Sequence, residues 1–189
     1  MKQLFCTIPA VLALVACGGS NAADEKTMDH HGDHAASLTA PPAGSDADVA
    51  VIGTDGSEIG RAIVAGGPNG LLIRVDVSGL SEGFHGIHLH QVGDCSDFAE
   101  GFKLSGSHIN PDGNAHGLMN ADGYEKADLP NVYAHHSGHA RAELFVGGLM
   151  LEDAMDEDGF ALVVHENEDD HQTQPIGGAG ARKGCAAFK

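Results

Sequence analysis

From Asp46 onward the chain is cut into short apolar runs by tight-turn dipeptides, and that punctuation restricts it to antiparallel β-structure. Asp48 to Ile52 runs into Thr54-Asp55-Gly56-Ser57, and Ile59 to Val64 follows. Gly67-Pro68-Asn69-Gly70 then turns the chain into Leu71 to Val77. Asp-Gly and Asn-Gly supply residues that tolerate positive φ, the requirement of a two-residue hairpin. Further strands are expected at Gly86 to Val92, Asn131 to His135, Arg141 to Val146 and Phe160 to His165. No stretch of this region sustains a helical period. The expected fold is therefore all-β, a sandwich or barrel of short antiparallel strands. The 27 glycines suit many turns, and the 42% apolar content supplies a core although aromatics are only 5% and Trp is absent.

The first 45 residues read differently. Lys2 gives a short basic start, and Leu4 to Ala16 is apolar but too short to span a bilayer stably. The run ends in Leu14-Val15-Ala16-Cys17, which resembles the lipobox of bacterial lipoproteins. Residues 1–16 are thus expected to be a lipoprotein signal peptide, with lipid on Cys17 anchoring the protein in the bacterial periplasm, at the outer membrane. An ordinary secretory signal beside a chance Cys17 is the other reading. Residues 17–45 have the small, polar composition of a flexible tether. Within it, Met28-Asp29-His30-His31-Gly32-Asp33-His34 reads either as weak copper or zinc capture or as a solvated linker. Residues 46–189 form the folded domain. The formal net charge of −17 excludes nucleic acid as a partner and does not favour docking to anionic lipid, which leaves the anchor as the membrane contact.

Four cysteines are present. Cys6 leaves with the signal peptide and Cys17 is acylated, so Cys95 and Cys185 remain as one pair. In an oxidising compartment such a pair reads as a structural disulfide, two free thiols being the alternative. Closing so long a loop contributes about 4 kcal/mol by chain-entropy reasoning.

The most informative segment is Gly83-Phe84-His85-Gly86-Ile87-His88-Leu89-His90. Residues two apart in a strand share a face, so His88 and His90 can reach one metal. His85 falls out of that alternation if Gly86 bends the chain, and is expected to make a supporting hydrogen bond instead. A lone His-x-His is a weak signal, but here it heads a longer series. GDC at 93–95, GSHINP at 106–111, His116-Gly117, DLPNV at 128–132, LVVHENEDD at 162–170 and GGAGARKGC at 177–185 follow in order. With these segments the chain resembles the copper/zinc superoxide dismutase family over essentially all of Asp46 to Lys189.

The resemblance implies an eight-stranded antiparallel Greek-key β-barrel or sandwich, Ig-like, with long metal-binding and electrostatic loops. It implies one copper per subunit on His88, His90, His108 and His165, and one zinc on His108, His116 and Asp128. His108 would bridge the two metals, and Asp169 would accept hydrogen bonds from a histidine of each site. The family's third zinc histidine is replaced here by Glu125. A carboxylate is a competent zinc ligand. A weakened zinc site, or a substitute from His135, His136 or His139, are the other readings; a polar hairpin tip is the plain account of those three.

Arg182, three residues before Cys185, matches the family's substrate-guiding arginine, with Lys183 as a possible helper or an ordinary surface cation. The family is itself a standard instance of electrostatic steering. The implied reaction is superoxide dismutation in antioxidant defence of the cell envelope. Cu(II) oxidises one superoxide to dioxygen, and Cu(I) reduces a second to hydrogen peroxide, with His108 carrying a proton. The implied assembly is a homodimer or a monomer. Two rivals are a non-catalytic periplasmic copper-storage protein of the same fold and a mononuclear zinc hydrolase. Storage needs no anion-guiding arginine, and a hydrolase needs one open site rather than two adjacent ones.

Overall fold

The computed structural model describes residues 46–189, so the expected signal peptide, Cys17 and the expected tether with His30, His31 and His34 lie outside the described residues. The strands are β1 (Ala47–Gly53), β2 (Glu58–Gly67), β3 (Gly70–Val77), β4 (Gly83–His85), β5 (Ile87–His90), β6 (Val132–Ala134), β7 (Ala140–Gly147), β8 (Phe160–His165) and β9 (Arg182–Phe188). A single-turn helix α1 (Leu151–Ala154) and two 3₁₀ turns, Phe98–Glu100 and Lys103–Ser105, complete the described elements.

Seven strands pair in the order β5-β8-β9-β1-β2-β3-β7, and β4 pairs with β6; every pairing is antiparallel. β4 leads into β5 through Gly86, and a hairpin joins β6 to β7, with His135 N donating to His139 O at 2.9 Å. The short pair thus connects β5 and β7, the two outer strands of the large sheet, and curls it into a barrel. With Gly83–His90 taken as one strand that changes partners at Gly86, the number is the expected eight. The neighbours β3 and β7, β5 and β8, and β9 and β1 are not consecutive in the chain, the Greek-key signature.

β9 was not among the expected strands. Its sequence, Arg-Lys-Gly-Cys-Ala-Ala-Phe, holds no β-branched residue. It is a strand because β8 and β1 flank it and take up its backbone groups, a case of tertiary context overriding propensity. Burial follows the two-residue period where one face is covered: Leu71, Ile73, Val75 and Val77 of β3 all enter the main core. β8 is buried at all six positions. Phe160, Leu162 and Val164 face the main core, while Ala161 and Val163 join Cys95, Phe102 and Cys185 in a second cluster on the outer side. The disulfide Cys95–Cys185, with Cα atoms 5.8 Å apart, ties that covering loop to β9.

Phe188 and Phe160 stack with ring centroids 4.6 Å apart, fully buried across β9 and β8. Phe188→Ala should therefore lower unfolding free energy by about 3–5 kcal/mol in denaturant titration. Phe145→Ala, on the exposed side of β7, should shift it by less than about 0.5 kcal/mol.

Candidate metal centre

β5 sets the first two ligand candidates. Ile87 and Leu89 point into the main core, so His88 and His90 project from the opposite face of the strand. Loop segments lie along that strand like extra strands: Gln91 N donates to Ser107 O at 2.9 Å, Ile109 N to Leu89 O at 3.0 Å, and Leu89 N to Ala127 O at 3.2 Å. These ladders bring His108 and Asp128 opposite His90 and His88 respectively. β8 ends in a register irregularity between Val164 and His165, and His165 stands opposite Arg182 of β9. Such an irregularity re-aims a side chain at a strand end.

Four imidazoles converge. Ring centroids of His88 and His108 are 4.4 Å apart, His88 and His165 4.8 Å, and His90 and His108 5.1 Å. Ligand atoms of His88, His108 and His165 lie within 4.8 Å of one another. His90 stands slightly farther out, 6.2 Å from His165 by ring centroid, and lines the same cavity of about 390 Å³ with His108, His165, Glu125, Ile176 and Arg182.

A second group holds His108, His116, Glu125 and Asp128, again with ligand atoms within 4.8 Å of one another. His108 Nδ1 is 2.6 Å from Glu125 Oε2, and His116 Nδ1 is 3.5 Å from the same oxygen. His116 Nδ1 and Asp128 Oδ1 approach to 2.7 Å. Asp128 Oδ2 is occupied elsewhere, accepting from Gly117 N and Glu125 N at 2.7 and 3.0 Å, which leaves Oδ1 for the group. None of His135, His136 and His139 belongs to either group. His139 pairs with Asp76 at 2.7 Å and His136 with Glu82 at 3.2 Å, on the β6–β7 hairpin.

Fit to metal ions is decided by atoms left without partners. His88 Nδ1, His90 Nε2, His108 Nε2 and His165 Nε2 are all buried with no hydrogen-bond partner, while His116 Nδ1 has only the carboxylates of Asp128 and Glu125 beside it. An unpaired buried polar atom is costly, so the four unpaired imidazole nitrogens fit one cation, and the carboxylates gathered round His108 and His116 fit a second. The opposite ring atoms are anchored. His90 Nδ1 donates to Gly106 O at 2.9 Å and His165 Nδ1 to Gly180 O at 3.1 Å. His88 Nε2 and His116 Nε2 donate to the two oxygens of Asp169 at 2.7 and 3.2 Å. Each anchor fixes the tautomer whose lone pair faces inward. His85 is outside both groups, its two ring nitrogens 2.8 Å from His165 O and 2.9 Å from Ser81 O.

Electrostatics agree. Burial first, then Arg182, holds His90 down to about 2; burial, His88 and His116 bring His108 to about 3; burial and His88 bring His165 to about 4. These imidazoles are neutral near pH 7, with lone pairs available. His116 is the opposite case: burial disfavours its charge, but bonds to Asp128 and Asp169 raise it to about 10. Without metal, a proton on His116 offsets the carboxylates. Burial and the Asp128 charge push Glu125 up, as expected for two carboxylates sharing one small space.

Arg182 lies at the cavity with Nη1 bonded to Phe102 O (2.6 Å) and Ser105 Oγ (2.9 Å), and Nη2 to Gly106 O (2.9 Å). Lys183 turns away, pairs with Glu166 at 3.0 Å and lines a different cavity. Sequence reasoning missed three side chains. Asn110 donates to Glu125 Oε1 at 2.9 Å. Asn131 brackets the Asp169 backbone, accepting from Asp169 N and donating to Asp169 O. Ser105 contacts Arg182. No spacing rule singles out such residues; Asn110 and Asn131 lay inside the GSHINP and DLPNV segments without an assigned role.

The comparisons with known proteins agree with this geometry. A family model described as copper/zinc superoxide dismutase matches residues 59–188. A Cu-Zn superoxide dismutase of Caulobacter vibrioides is 41% identical over 142 residues, 71% of this chain and 80% of that one. The Cu-Zn superoxide dismutase 2 of Aquifex aeolicus is 32% identical over 145 residues, 74% of this chain and 84% of that one. Among solved structures, an SOD-like protein from Bacillus subtilis matches with TM-score 0.72 at 28% identity, covering 77% of this chain and 99% of that one. A Cu/Zn superoxide dismutase from Brucella abortus matches with TM-score 0.63 at 25% identity, covering 76% and 99%.

Because Asp169 orients one histidine of each group, Asp169→Ala should weaken metal binding at both, about 10–100-fold each. Chelator competition with copper and with zinc measures the two affinities separately; a loss confined to one metal would contradict the shared anchor.

Proposed function

The chain belongs to the copper/zinc superoxide dismutase family, and on that premise we propose which of its residues run the reaction, two superoxide anions and two protons giving dioxygen and hydrogen peroxide. His88 Nδ1, His90 Nε2, His108 Nε2 and His165 Nε2 would hold copper. His108 Nδ1, His116 Nδ1, Glu125 Oε2 and Asp128 Oδ1 would hold zinc. Bound there, copper supplies one-electron exchange between Cu(II) and Cu(I), and zinc supplies a fixed positive charge beside His108. The observation that carries this reading is the set of four buried imidazole nitrogens without partners, beside a second ligand group that shares His108.

His108 is the catalytic residue of the pair. Its Nδ1 faces the Glu125 carboxylate, and its Nε2 is buried without a partner in the group shared with His88 and His165, so Nε2 can take up and release the proton that peroxide formation requires. Arg182 stands at the mouth as the cation that attracts and orients the anion. Asp169 keeps His88 and His116 in the tautomers that the ligand roles demand. The Cys95–Cys185 disulfide suits an oxidising compartment. We assign residues 1–16 to a signal peptide and 17–45 to a tether lipidated at Cys17, placing the domain of residues 46–189 in the periplasm.

Two expected outcomes test the assignment. His108→Ala should remove dismutase activity about 100-fold or more and also weaken zinc binding about tenfold or more; intact zinc affinity would exclude a shared ligand. Glu125→Gln should lower zinc affinity of the metal-free protein about tenfold or more, since an ionised oxygen becomes a neutral amide, while Glu125→His should stay within about threefold of the parent. Zinc titration of both variants decides it, and an unchanged Glu125→Gln removes Glu125 from the site.

A further inference from the structure

Arg182 is not a free surface cation. A guanidinium has five N–H donors, and three are committed here, two on Nη1 and one on Nη2. Nε–H and the second Nη2–H have no protein partner among the described residues, and the side chain lines the cavity in which the histidines converge. The acceptors come from one short segment, Phe102 O, Ser105 Oγ and Gly106 O. Two of them are backbone carbonyls held by unusual backbone: Phe102 has φ 57° and Gly106 φ 78°, ψ −152°, a conformation suited to glycine. The third is a side chain, and it is fully buried.

The Ser105 hydroxyl has one proton, which it donates to Phe102 O at 2.8 Å. That commitment turns its lone pairs toward Arg182 Nη1. Two acceptors define an axis through the guanidinium; a third acceptor stops rotation about it. Gly106 O also accepts from His90 Nδ1 at 2.9 Å, so the segment that fixes the guanidinium also fixes a neighbouring imidazole. Val92 N donates to Ser105 O at 3.1 Å, tying the segment to the end of β5.

We propose that Ser105 is a positioning residue for substrate capture: its hydroxyl locks the Arg182 guanidinium so that the remaining N–H donors are presented to the incoming anion. The inference rests on the reading of Arg182 as the substrate-attracting cation. An alanine at 105 would leave one half-buried Nη1–H without an acceptor and free the group to tilt. Superoxide is small, and misplacement of a single orienting cation acts on capture rather than on the metals.

The test compares Ser105→Ala, Arg182→Ala and the double variant in the metal-loaded and metal-free protein. In the loaded protein, kcat/KM for superoxide is measured against ionic strength. Ser105→Ala should lower it about three- to tenfold at low salt, with a flatter salt dependence and unchanged copper and zinc content. Adding Ser105→Ala to Arg182→Ala should cause no further loss. In the metal-free protein, phenylglyoxal modification followed by peptide mass spectrometry should show Arg182 reacting several-fold faster in Ser105→Ala. Arg61, Arg74 and Arg141 should react at the parental rate, which a general loosening of the fold would not allow. Parental salt dependence and parental Arg182 reactivity in Ser105→Ala, beside a clear loss in Arg182→Ala, overturn the proposal alone. A parental rate in Arg182→Ala overturns the reading of Arg182, and the proposal with it.

Discussion

Asp169 is buried, yet its carboxylate takes hydrogen bonds from His88, from His116 and from the His171 backbone N–H at 2.7, 3.2 and 2.7 Å. Burial alone would push its proton affinity up; the bonds from His116 and His88 reverse that and hold it well below the usual carboxylate range. An ionised carboxylate in this position dictates which ring nitrogen of each partner carries a proton. It therefore dictates where two lone pairs of two different metal groups point. Space is reserved for it: a Cβ at Gly177 would run into the Asp169 carboxylate, and φ +60° there suits glycine. Asn131 holds the Asp169 backbone from both its N–H and its carbonyl. The metal groups are thus built as a pair, and a change at this joint reaches both.

The barrel matters to the chemistry through β9. This strand places Arg182 opposite His165 and Cys185 opposite Val163, so one strand supports the cavity, the disulfide and the core. Its inward residues Ala186 and Phe188 enter the main core, while Cys185 packs outward with Cys95 and Phe102. Phe102 is fully buried there, and its carbonyl accepts from Arg182. Apolar burial beneath the loop and hydrogen bonding above it are two sides of one residue. Fold stability reaches the Arg182 side chain along this route.

Much of this was legible in the sequence because it is local. Asn-Gly and Asp-Gly located β1 to β3, and two-residue alternation put His88 and His90 on one face. The resemblance grouped histidines and carboxylates from separate loops, where spacing says nothing about three-dimensional proximity, and the structure brings those side chains together. What stayed hidden depends on context. β9 has weak strand propensity and exists because two neighbours demand it. Ser105 and Asn110 are polar residues in polar loops, and only their contacts distinguish them from solvated ones. Lys183 beside Arg182 read in sequence as either a helper or an ordinary surface cation, and strand alternation decides between them: adjacent residues go to opposite faces, so of the two Arg182 alone lines this cavity.

Glu125 shows how the departure from the family pattern is absorbed. Its carboxylate lines the same cavity as Arg182, so a bare negative charge there would oppose the positive field of the guanidinium. Both oxygens are occupied. Asn110 donates to Oε1, and Oε2 faces His108 and His116. Asn110 is itself fixed by Asn114, whose backbone N–H it receives and whose carbonyl it bonds. The carboxylate is therefore turned so that Oε2 addresses the group with Asp128, where a divalent cation would neutralise it, instead of the open channel. An imidazole at this position would leave the zinc group one charge more positive. With Glu125, the positive field in this cavity rests more heavily on Arg182, and hence on the three acceptors that hold it still.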